Sequence, residues 1–355
     1  MDTSSAAASV DPVGRVDRLL RGAFEARATD IHLEPFVQGA RVRMRVDGLF
    51  RLAEETDSET MERMIGRIRV LARLPSYECM RPQEGRIDAE TSGLPADIRV
   101  SIIPAVGGEK AVLRFMNQQG ILLRLDDLGL QPEVLHDLLQ VRRWRSGLIL
   151  VCGPSGSGKT TTLYALAEHL MRERGEDWQF VSVEDPVERR IPGMTQVEIK
   201  PQFDLGFPSA LKYLLRQDPE VILVGEIRDA ETAAMAVQAA FTGHLVLSSM
   251  HVGSPREAVL RLQRMGIPEY QIEAAVRMVV SQRLLRRKCP HCASGCPRCS
   301  ETGYAGLVPV GEVLHFGDPS ADGRPAHAAE GLKAAVEHLI LAGVTTHEEA
   351  DRVLE

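Results

Sequence analysis

The strongest constraint on the fold of this chain is the segment GPSGSGKT at residues 153–160. It matches the pattern G-x-x-x-x-G-K-[ST], in which backbone N–H groups and a helix N-terminus surround a di- or triphosphate. The apolar run Leu148–Cys152 precedes it and predicts a buried parallel strand, and Thr161–Leu166 follows it and favours a helix. Strand, loop and helix in this order predict a nucleoside-triphosphate site in an α/β domain.

Individual residues of this loop have expected tasks. Lys159 is expected to reach the β- and γ-phosphates, and the Thr160 hydroxyl is expected to be a ligand of Mg²⁺. A glycine-rich turn without a ligand is the alternative, but the flanking strand and helix argue against it. The candidate nucleotide-binding residues are Gly153, Pro154, Ser155, Gly156, Ser157, Gly158, Lys159, Thr160 and Thr161.

The size and composition of the chain are those of a globular protein with two or three domains. It has 355 residues, 44% of them hydrophobic and 26% charged, and its net charge is −7. No apolar run approaches the roughly 20 residues of a membrane-spanning helix, and the N-terminus lacks the pattern of a secretory signal. The acidic balance argues against nucleic acid as a direct partner. We therefore expect a cytoplasmic protein.

Helix and strand signals divide the chain into segments. Before the glycine loop, helical patterns such as Arg15–Arg27 mix with strand patterns, one of which ends in the hairpin signal Asp47-Gly48. After it, strands and helices alternate, which predicts a mainly parallel sheet covered on both faces. After the cysteines, a short glycine-rich strand region is expected, then a polar loop at 317–328, and then a helical tail from Gly331 with a break at Gly343. The predicted segments are 1–12 (disordered), 13–118 (α+β domain), 119–127 (linker), 128–285 (nucleotide-binding α/β domain), 286–304 (four-cysteine metal element) and 305–355 (helical subdomain).

Two acidic residues at predicted strand ends are the candidate catalytic carboxylates. The apolar run Val221–Val224 is followed by Gly225, where phosphate-loop ATPases usually carry a magnesium-binding aspartate, and then by Glu226. Glu184 follows a second strand pattern, Phe180–Val183. Because open α/β sheets bind ligands at the carboxyl ends of their strands, both carboxylates are expected beside the phosphate loop. A carboxylate there can polarise the attacking water.

Two histidines flank a further strand pattern, Leu245–Met250. His244 precedes this strand and His251 follows it. We expect both near the phosphate edge of the sheet, where they would sense the γ-phosphate or orient Glu226. A purely structural role for each histidine is the alternative.

Four segments resemble, in order, the signature motifs of the type II secretion and type IV pilus assembly ATPases. They are the phosphate loop that starts at Gly153, Ser182–Glu188, Leu215–Asp229 with the atypical Gly-Glu pair, and Thr242–His251. The N-terminal part of the chain also looks like that family, at residues 29–35, 43–48 and 97–101. The resemblance covers nearly the whole chain, from about residue 13 to residue 355.

This resemblance implies a RecA-like ATPase domain preceded by a PAS-like α+β domain, with a small metal-binding and helical region at the C-terminus. It implies a homohexameric motor that hydrolyses ATP to assemble a secretion pseudopilus, a type IV pilus or a DNA-uptake machine. An inner-membrane platform protein would be its partner and would hold it peripherally at the membrane. Glu226 becomes the leading catalytic carboxylate and Glu184 the second. Arg99 and Arg114 are candidates for completing a nucleotide site, with surface ion pairs as the alternative.

Four cysteines form two C-x-x-C pairs, Cys289 with Cys292 and Cys296 with Cys299. Each pair can offer two thiolates to one ion, which predicts a tetrahedral Zn²⁺ site. An iron–sulfur cluster and metal-free thiols are the alternatives. The resemblance adds that the assembly branch of the family carries such an element, whereas the retraction branch typically lacks it. The family's usual gap between the two pairs is much longer than the gap in this chain.

Two other functions stay open on the sequence alone. One is a pilus-retraction motor of the same superfamily, against which the four cysteines argue. The other is a nucleotide-binding scaffold with little turnover. A motor requires the carboxylate of Glu226, whereas a scaffold would tolerate its replacement by an amide.

Overall fold

A computed structural model describes residues 11–77, 81–116, 124–292, 294–299, 301–316 and 331–354. The chain forms two compact units, one within residues 1–121 and one within residues 122–355. The predicted loop at 317–328 lies outside the described residues, and so does the predicted disordered terminus except for Asp11 and Pro12, where the first helix starts.

The first unit is a six-stranded antiparallel sheet with helices, in the strand order β3-β2-β1-β6-β5-β4. Its elements are α1 (Pro12–Glu25), β1 (Asp30–Phe36), β2 (Gly39–Val46), β3 (Leu49–Thr56), α2 (Ser58–Leu71), β4 (Gln83–Ile87), α3 (Ala89–Ser92), β5 (Asp97–Ala105) and β6 (Gly108–Met116).

Alternation along β1 explains how this sheet separates a core face from a charged face. Ile31 and Leu33 are fully buried in the core of the unit. Asp30 and Glu34, at alternate positions, instead hold ion pairs with basic residues of the neighbouring strands. The predicted hairpin at Asp47-Gly48 joins β2 to β3, and both of its residues have positive φ. The unit therefore has the expected α+β character, while the closer likeness to a PAS domain stays a prediction.

The second unit is built on a seven-stranded sheet. Its elements are α4 (Pro132–Gln140), β7 (Gly147–Cys152), α5 (Lys159–Arg174), β8 (Phe180–Glu184), β9 (Met194–Glu198), α6 (Phe207–Leu214), β10 (Val221–Val224), α7 (Ala230–Phe241), β11 (Leu245–Met250), α8 (Pro255–Arg264), α9 (Glu269–Ala275), β12 (Val276–Lys288), β13 (Tyr304–His315), α10 (Leu332–Leu341) and α11 (His347–Leu354).

The strands of this sheet follow the order β13-β12-β7-β11-β10-β8-β9. All neighbours are parallel except β12 and β13, which pair antiparallel. Each residue of β7 is buried, and the apolar side chains of the strands enter two separate clusters with helices on either face. The predicted parallel sheet, covered on both faces, is therefore confirmed.

The predicted subdomain at 305–355 begins with the expected glycine-rich strand region and is not helical throughout. Residues Tyr304–His315 form β13 and pair with β12 from Lys288 to Met278. The apolar side chains of Val308 and Val310 anchor this strand in a small core with α10 and α11. Among the described residues of this region, the helices start at Leu332, with the predicted break at Gly343.

Residues 119–123 of the predicted linker lie outside the described residues, and its carboxyl end, 124–127, is part of the second unit. Leu125 begins a short 3-10 helix and is only 1% exposed. It packs in the core that also holds α5.

Within the described ranges, no helix is long and apolar enough to cross a membrane.

Candidate functional site

The phosphate loop connects the carboxyl end of β7 to the start of α5, as the sequence predicts. Gly153 and Gly158 have φ values of +153° and +85°. A Cβ on Gly153 would lie 2.4 Å from Ser157 Oγ, and a Cβ on Gly158 would lie 2.8 Å from Gln282 Nε2. Both positions therefore require glycine, for backbone conformation and for space.

Several polar groups of this loop are available to an anion. The amino end of α5 presents backbone N–H groups that have no partner within the helix. Ser157 Oγ is buried and has no hydrogen-bond partner among the described residues. Lys159 Nζ donates to the carbonyl oxygens of Gly153 (2.9 Å) and Pro154 (2.8 Å). A bound phosphate can accept from these same donors, so the loop fits a di- or triphosphate.

The charged side chain of Lys159 is largely shielded from solvent. Its side chain is only 7% exposed, and this burial lowers its pKa, while the carboxylate of Glu226 acts in the opposite direction. The nearby Glu226 therefore helps to keep Lys159 protonated.

Glu226 and His251 meet at the carboxyl edge of the sheet, beside the phosphate loop. Glu226 lies just after β10 and His251 just after β11, and these parallel strands are neighbours. The Glu226 carboxylate accepts from Arg228, and its Oε2 is 3.5 Å from His251 Nε2. Arg228 also lies 3.7 Å from Asp185. This edge thus gathers two carboxylates, one guanidinium and one imidazole.

The His251 imidazole is held in its neutral form near pH 7. Burial is the main cause of the lowered pKa of His251, and the positive charge of Lys159 adds to it, against the opposing effect of Glu226. A neutral imidazole can donate one N–H to a carboxylate, and it does not compete with the positively charged groups at this edge.

Glu184, the second candidate carboxylate, is held by neutral donors inside the unit. It is 3% exposed and accepts from the Tyr164 hydroxyl, from Ser182 Oγ (2.5 Å) and from Gln196 Nε2 (3.1 Å). Burial, together with the Glu184 charge, raises the pKa of Tyr164, so this hydroxyl stays a donor. The arrangement favours a role for Glu184 in fixing α5 and β9, and it leaves Glu226 better placed to act on a water.

The expectation that His244 lies near the phosphate edge is wrong. β11 runs parallel to β7, with Leu245 opposite Gly147 and Met250 opposite Cys152. His244 therefore lies at the amino end of the strand, roughly 20 Å along it from the phosphate edge. Its Nδ1 contacts the carbonyl oxygen of Ala239 at 3.0 Å, which is a structural contact.

Arg99 and Arg114 are direct neighbours on β5 and β6 of the first unit. Each holds one carboxylate: Arg99 Nη2 is 3.1 Å from Glu84, and Arg114 Nε is 2.8 Å from Asp30. Their side chains are nevertheless 49% and 65% exposed. Both guanidinium groups can therefore make further contacts, and their part in a nucleotide site stays a prediction.

The four cysteines converge as the two C-x-x-C pairs predict. Their sulfur atoms all lie within 4.8 Å of one another, and three Sγ–Sγ distances are 3.9 Å (Cys289–Cys296), 3.8 Å (Cys296–Cys299) and 3.5 Å (Cys292–Cys299). A tetrahedral ion with metal–sulfur bonds of about 2.3 Å requires sulfurs about 3.8 Å apart. The short gap between the pairs is therefore compatible with four ligands on one ion.

Backbone N–H groups support this thiolate cluster. Cys299 Sγ accepts from the N–H groups of Cys296 (3.2 Å) and Gly303 (3.3 Å). Burial acts to raise the pKa of Cys299, but these hydrogen bonds and those from neighbouring thiols outweigh it and lower the pKa to about 6. Such bonds are the usual second layer around a metal-binding sulfur.

Comparison with known proteins identifies the family. A family model described as Type II/IV secretion system protein matches residues 6–345. The chain belongs to this family. It is 41% identical to the type II secretion system protein HxcR of Pseudomonas aeruginosa, over 95% of this chain and 76% of that one. It is 36% identical to the type IV pilus assembly ATPase PilB of Thermus thermophilus, over 91% of this chain and 38% of that one.

Solved structures of secretion and pilus ATPases share the fold. The pilus retraction motor PilT with bound ADP aligns with a TM-score of 0.65 at 23% identity, over 94% of this chain and 95% of that one. The ATPase DotB of Legionella pneumophila aligns with a TM-score of 0.73 at 18% identity, over 97% and 96%. The resemblance seen in the sequence motifs is thus confirmed, and the chain is an ATPase of the secretion and pilus family.

Two further residues of the site in this secretion ATPase do not stand out in the sequence patterns. Arg228 contacts the carboxylate of Glu226, and Gln282 contacts the phosphate loop from β12. Arg228 follows Glu226 so closely that a strand-end argument could have included it. Gln282 carries a weaker signal, because it lies between Ser281 and Arg283 and does not stand out from its polar neighbours.

Proposed function

We propose that this secretion ATPase is a Mg²⁺-dependent motor for the assembly of a pilus-like fibre. The observation that carries the proposal is the meeting of Lys159, Glu226 and His251 at one edge of a parallel sheet. Lys159 binds the β- and γ-phosphates of ATP, and the Glu226 carboxylate accepts a proton from the attacking water. The Thr160 hydroxyl is the chain's ligand for Mg²⁺, which neutralises phosphate charge when bound.

The motor works as a homohexamer in which Arg99 and Arg114 supply positive charge to a nucleotide site. An arginine that reaches a transferring phosphoryl group can raise the rate by about 10³–10⁵. The high exposure of both side chains supports this role, because an arginine buried in a full set of ion pairs could not move to a new partner. Glu184 fixes the elements around the site, while Glu226 performs the chemistry.

The partner of the motor is an inner-membrane platform protein of a secretion, pilus or DNA-uptake machine. Two relatives carry names from such systems, a type II secretion system protein and a type IV pilus assembly ATPase. The chain itself lies in the cytoplasm and reaches the membrane through this partner, without direct contact to nucleic acid. The net charge of −7 agrees with a protein partner.

The four cysteines hold one Zn²⁺. The sulfur spacing and the N–H donors to Cys299 agree with a closed tetrahedral site. Zinc has no redox chemistry and would serve only to fix the turn between β12 and β13. Because the retraction branch of the family typically lacks such an element, the cluster favours an assembly motor over a retraction motor.

The rate of phosphate release, measured per chain as the protein concentration rises, tests the proposed motor. We expect the rate to climb and then to saturate, because neighbouring chains complete the sites of a ring. A matched series with Lys159→Ala should show no release at any concentration. A wild-type rate that stays negligible, also after assembly has been shown by light scattering, would favour the scaffold.

A further inference from the structure

Gln282 stands beside the phosphate loop although more than a hundred residues separate them in the sequence. The register of β12 with β7 places Ser281 opposite Cys152, so that Gln282 follows next to Gly153. The side chain is 2% exposed, in the interior of the second unit. A buried primary amide is costly unless both of its ends are hydrogen-bonded.

Both ends of this amide are bonded to the phosphate loop and its helix. Gln282 Nε2 donates to the carbonyl oxygen of Ser157 at 2.8 Å. Gln282 Oε1 accepts from the Thr162 hydroxyl at 2.8 Å. One side chain therefore connects the last turn of the loop, at Ser157, with the first turn of α5, at Thr162. The residue type suits these two contacts, because a primary amide carries both a donor and an acceptor at the end of its side chain.

The same residue also fills the space behind the loop. A Cβ at Gly158 would lie 2.8 Å from Gln282 Nε2, and a Cβ at Gly153 would lie 2.5 Å from the Gln282 carbonyl oxygen. The two loop glycines thus pack directly against Gln282. Shortening or reshaping this side chain would leave the loop free to sink towards β12.

We infer that Gln282 is a positioning residue for the nucleotide, acting through Ser157 and Thr162. It holds the loop carbonyl and the first helical turn at a fixed separation, so that the N–H groups and Lys159 meet the phosphates without rearrangement. A pre-organised loop binds more tightly, because it loses less conformational entropy when the nucleotide binds. This inference rests on the proposed nucleotide site and adds a residue that does not itself touch the nucleotide.

The test compares ATP binding by the wild-type chain with binding by Gln282→Met, which keeps the length of the side chain and removes both hydrogen bonds. We expect the Kd for ATP to rise about tenfold to a hundredfold, since two buried bonds of about 1 kcal/mol each are lost. Thr345→Val is the matched control. It removes one buried hydrogen bond to β12, from Thr345 Oγ1 to the Arg286 carbonyl oxygen, away from the loop.

A merely structural role predicts a different pattern. In that case, Gln282→Met and Thr345→Val would lower the midpoint of thermal unfolding to a similar extent and leave the Kd within twofold of wild type, which would overturn the inference. Thr162→Val supplies a second, milder variant, for which we expect a Kd rise of about threefold to tenfold. In the double variant of Gln282→Met and Thr162→Val, the two increases in Kd should not add, because Gln282→Met already removes the bond that Thr162→Val removes.

The wild-type titration separates this inference from the proposed function. If the wild type binds ATP, and Gln282→Met and Thr162→Val bind it equally well, only the role of Gln282 fails. If the wild type itself binds no ATP in the presence of Mg²⁺, the proposed function fails, and the role of Gln282 fails with it.

Discussion

His251 Nε2 lies 3.5 Å from Oε2 of Glu226, between the ends of two neighbouring parallel strands. This contact joins two of the signature segments, Leu215–Asp229, which contains Glu226, and Thr242–His251. The same carboxylate accepts from Arg228, so Glu226 is held from two sides. A carboxylate fixed in this way can keep one orientation toward an attacking water.

Replacing His251 should therefore affect the chemical step more than substrate binding. We predict that His251→Ala lowers kcat about tenfold, equivalent to one charge-assisted contact of roughly 1.4 kcal/mol, and changes the KM for ATP less than threefold. His244→Ala is the matched control and should retain wild-type kcat, because that histidine lies at the opposite end of β11. Steady-state kinetics of the two variants check the prediction, and equal losses of kcat would contradict it.

Removing the exposed arginines of the first unit tests their proposed role in the ring. We predict that Arg99→Ala and Arg114→Ala each lower kcat at saturating protein concentration by about 10²-fold or more, while the Kd for ATP changes little. Arg63→Ala is the control, since Arg63 is likewise an exposed, ion-paired arginine, but on helix α2. If all three variants keep wild-type turnover, Arg99 and Arg114 are surface ion pairs only.

Metal content tests the cysteine cluster. Elemental analysis of the purified chain should find about one zinc per chain, and Cys299→Ser should lose most of it, because four thiolates are needed to close the site. Cys152→Ser should keep the zinc, since burial raises the pKa of Cys152 to about 12 and this thiol lies in the core. A chain that carries iron, with visible absorbance, would contradict the zinc assignment.

The buried ion cluster around Glu34 makes the first unit sensitive to acid. Burial acts to raise the pKa of Glu34, but hydrogen bonds from Arg43, Lys110 and Arg41 lower it from 4.5 to about 2. The folded state therefore binds the proton less readily than the unfolded state. The stabilisation, roughly 3 kcal/mol, is complete above pH 4.5 and is lost as the pH falls towards 2.

We predict that Glu34→Gln destabilises the first unit by roughly 2–3 kcal/mol at pH 7. The difference from wild type should shrink below pH 4.5, since the protonated carboxyl of Glu34 and the amide of the variant are then both uncharged. Hydrogen exchange of β1 and β2 peptides, compared between the two proteins at each pH, measures this. Equal protection of both proteins at pH 7 would contradict the assignment.

Local patterns predicted the parts of the site that depend on neighbouring residues. The phosphate loop follows from its glycines, its lysine and the flanking strand and helix. The pairing of Glu226 with His251 follows from the rule that parallel strands end at one edge. The same rule should have excluded His244, because a residue before a strand lies at the other edge, and the structure corrects that error.

The sequence could not predict which strands pair when they lie far apart along the chain. Nothing near Gln282 indicates that β12 lies beside β7, more than a hundred residues earlier, so its contacts with the loop could not be foreseen. The glycine-rich strand region after the cysteines was predicted, but its antiparallel pairing with β12, which makes it the edge of the large sheet, was not. The convergence of the four cysteines was predicted from their spacing, although the short gap left the sulfur distances undetermined.

The most direct test of the central claim is the pair of measurements on Glu226→Gln, which keeps the shape of the side chain and removes its basicity. The variant should bind ATP with the affinity of wild type, while its single-turnover rate of hydrolysis falls by about 10²–10⁴. Lys159→Ala, run in parallel, should lose binding itself. Unchanged hydrolysis in Glu226→Gln would contradict the account of this chain as a motor with Glu226 as its catalytic base.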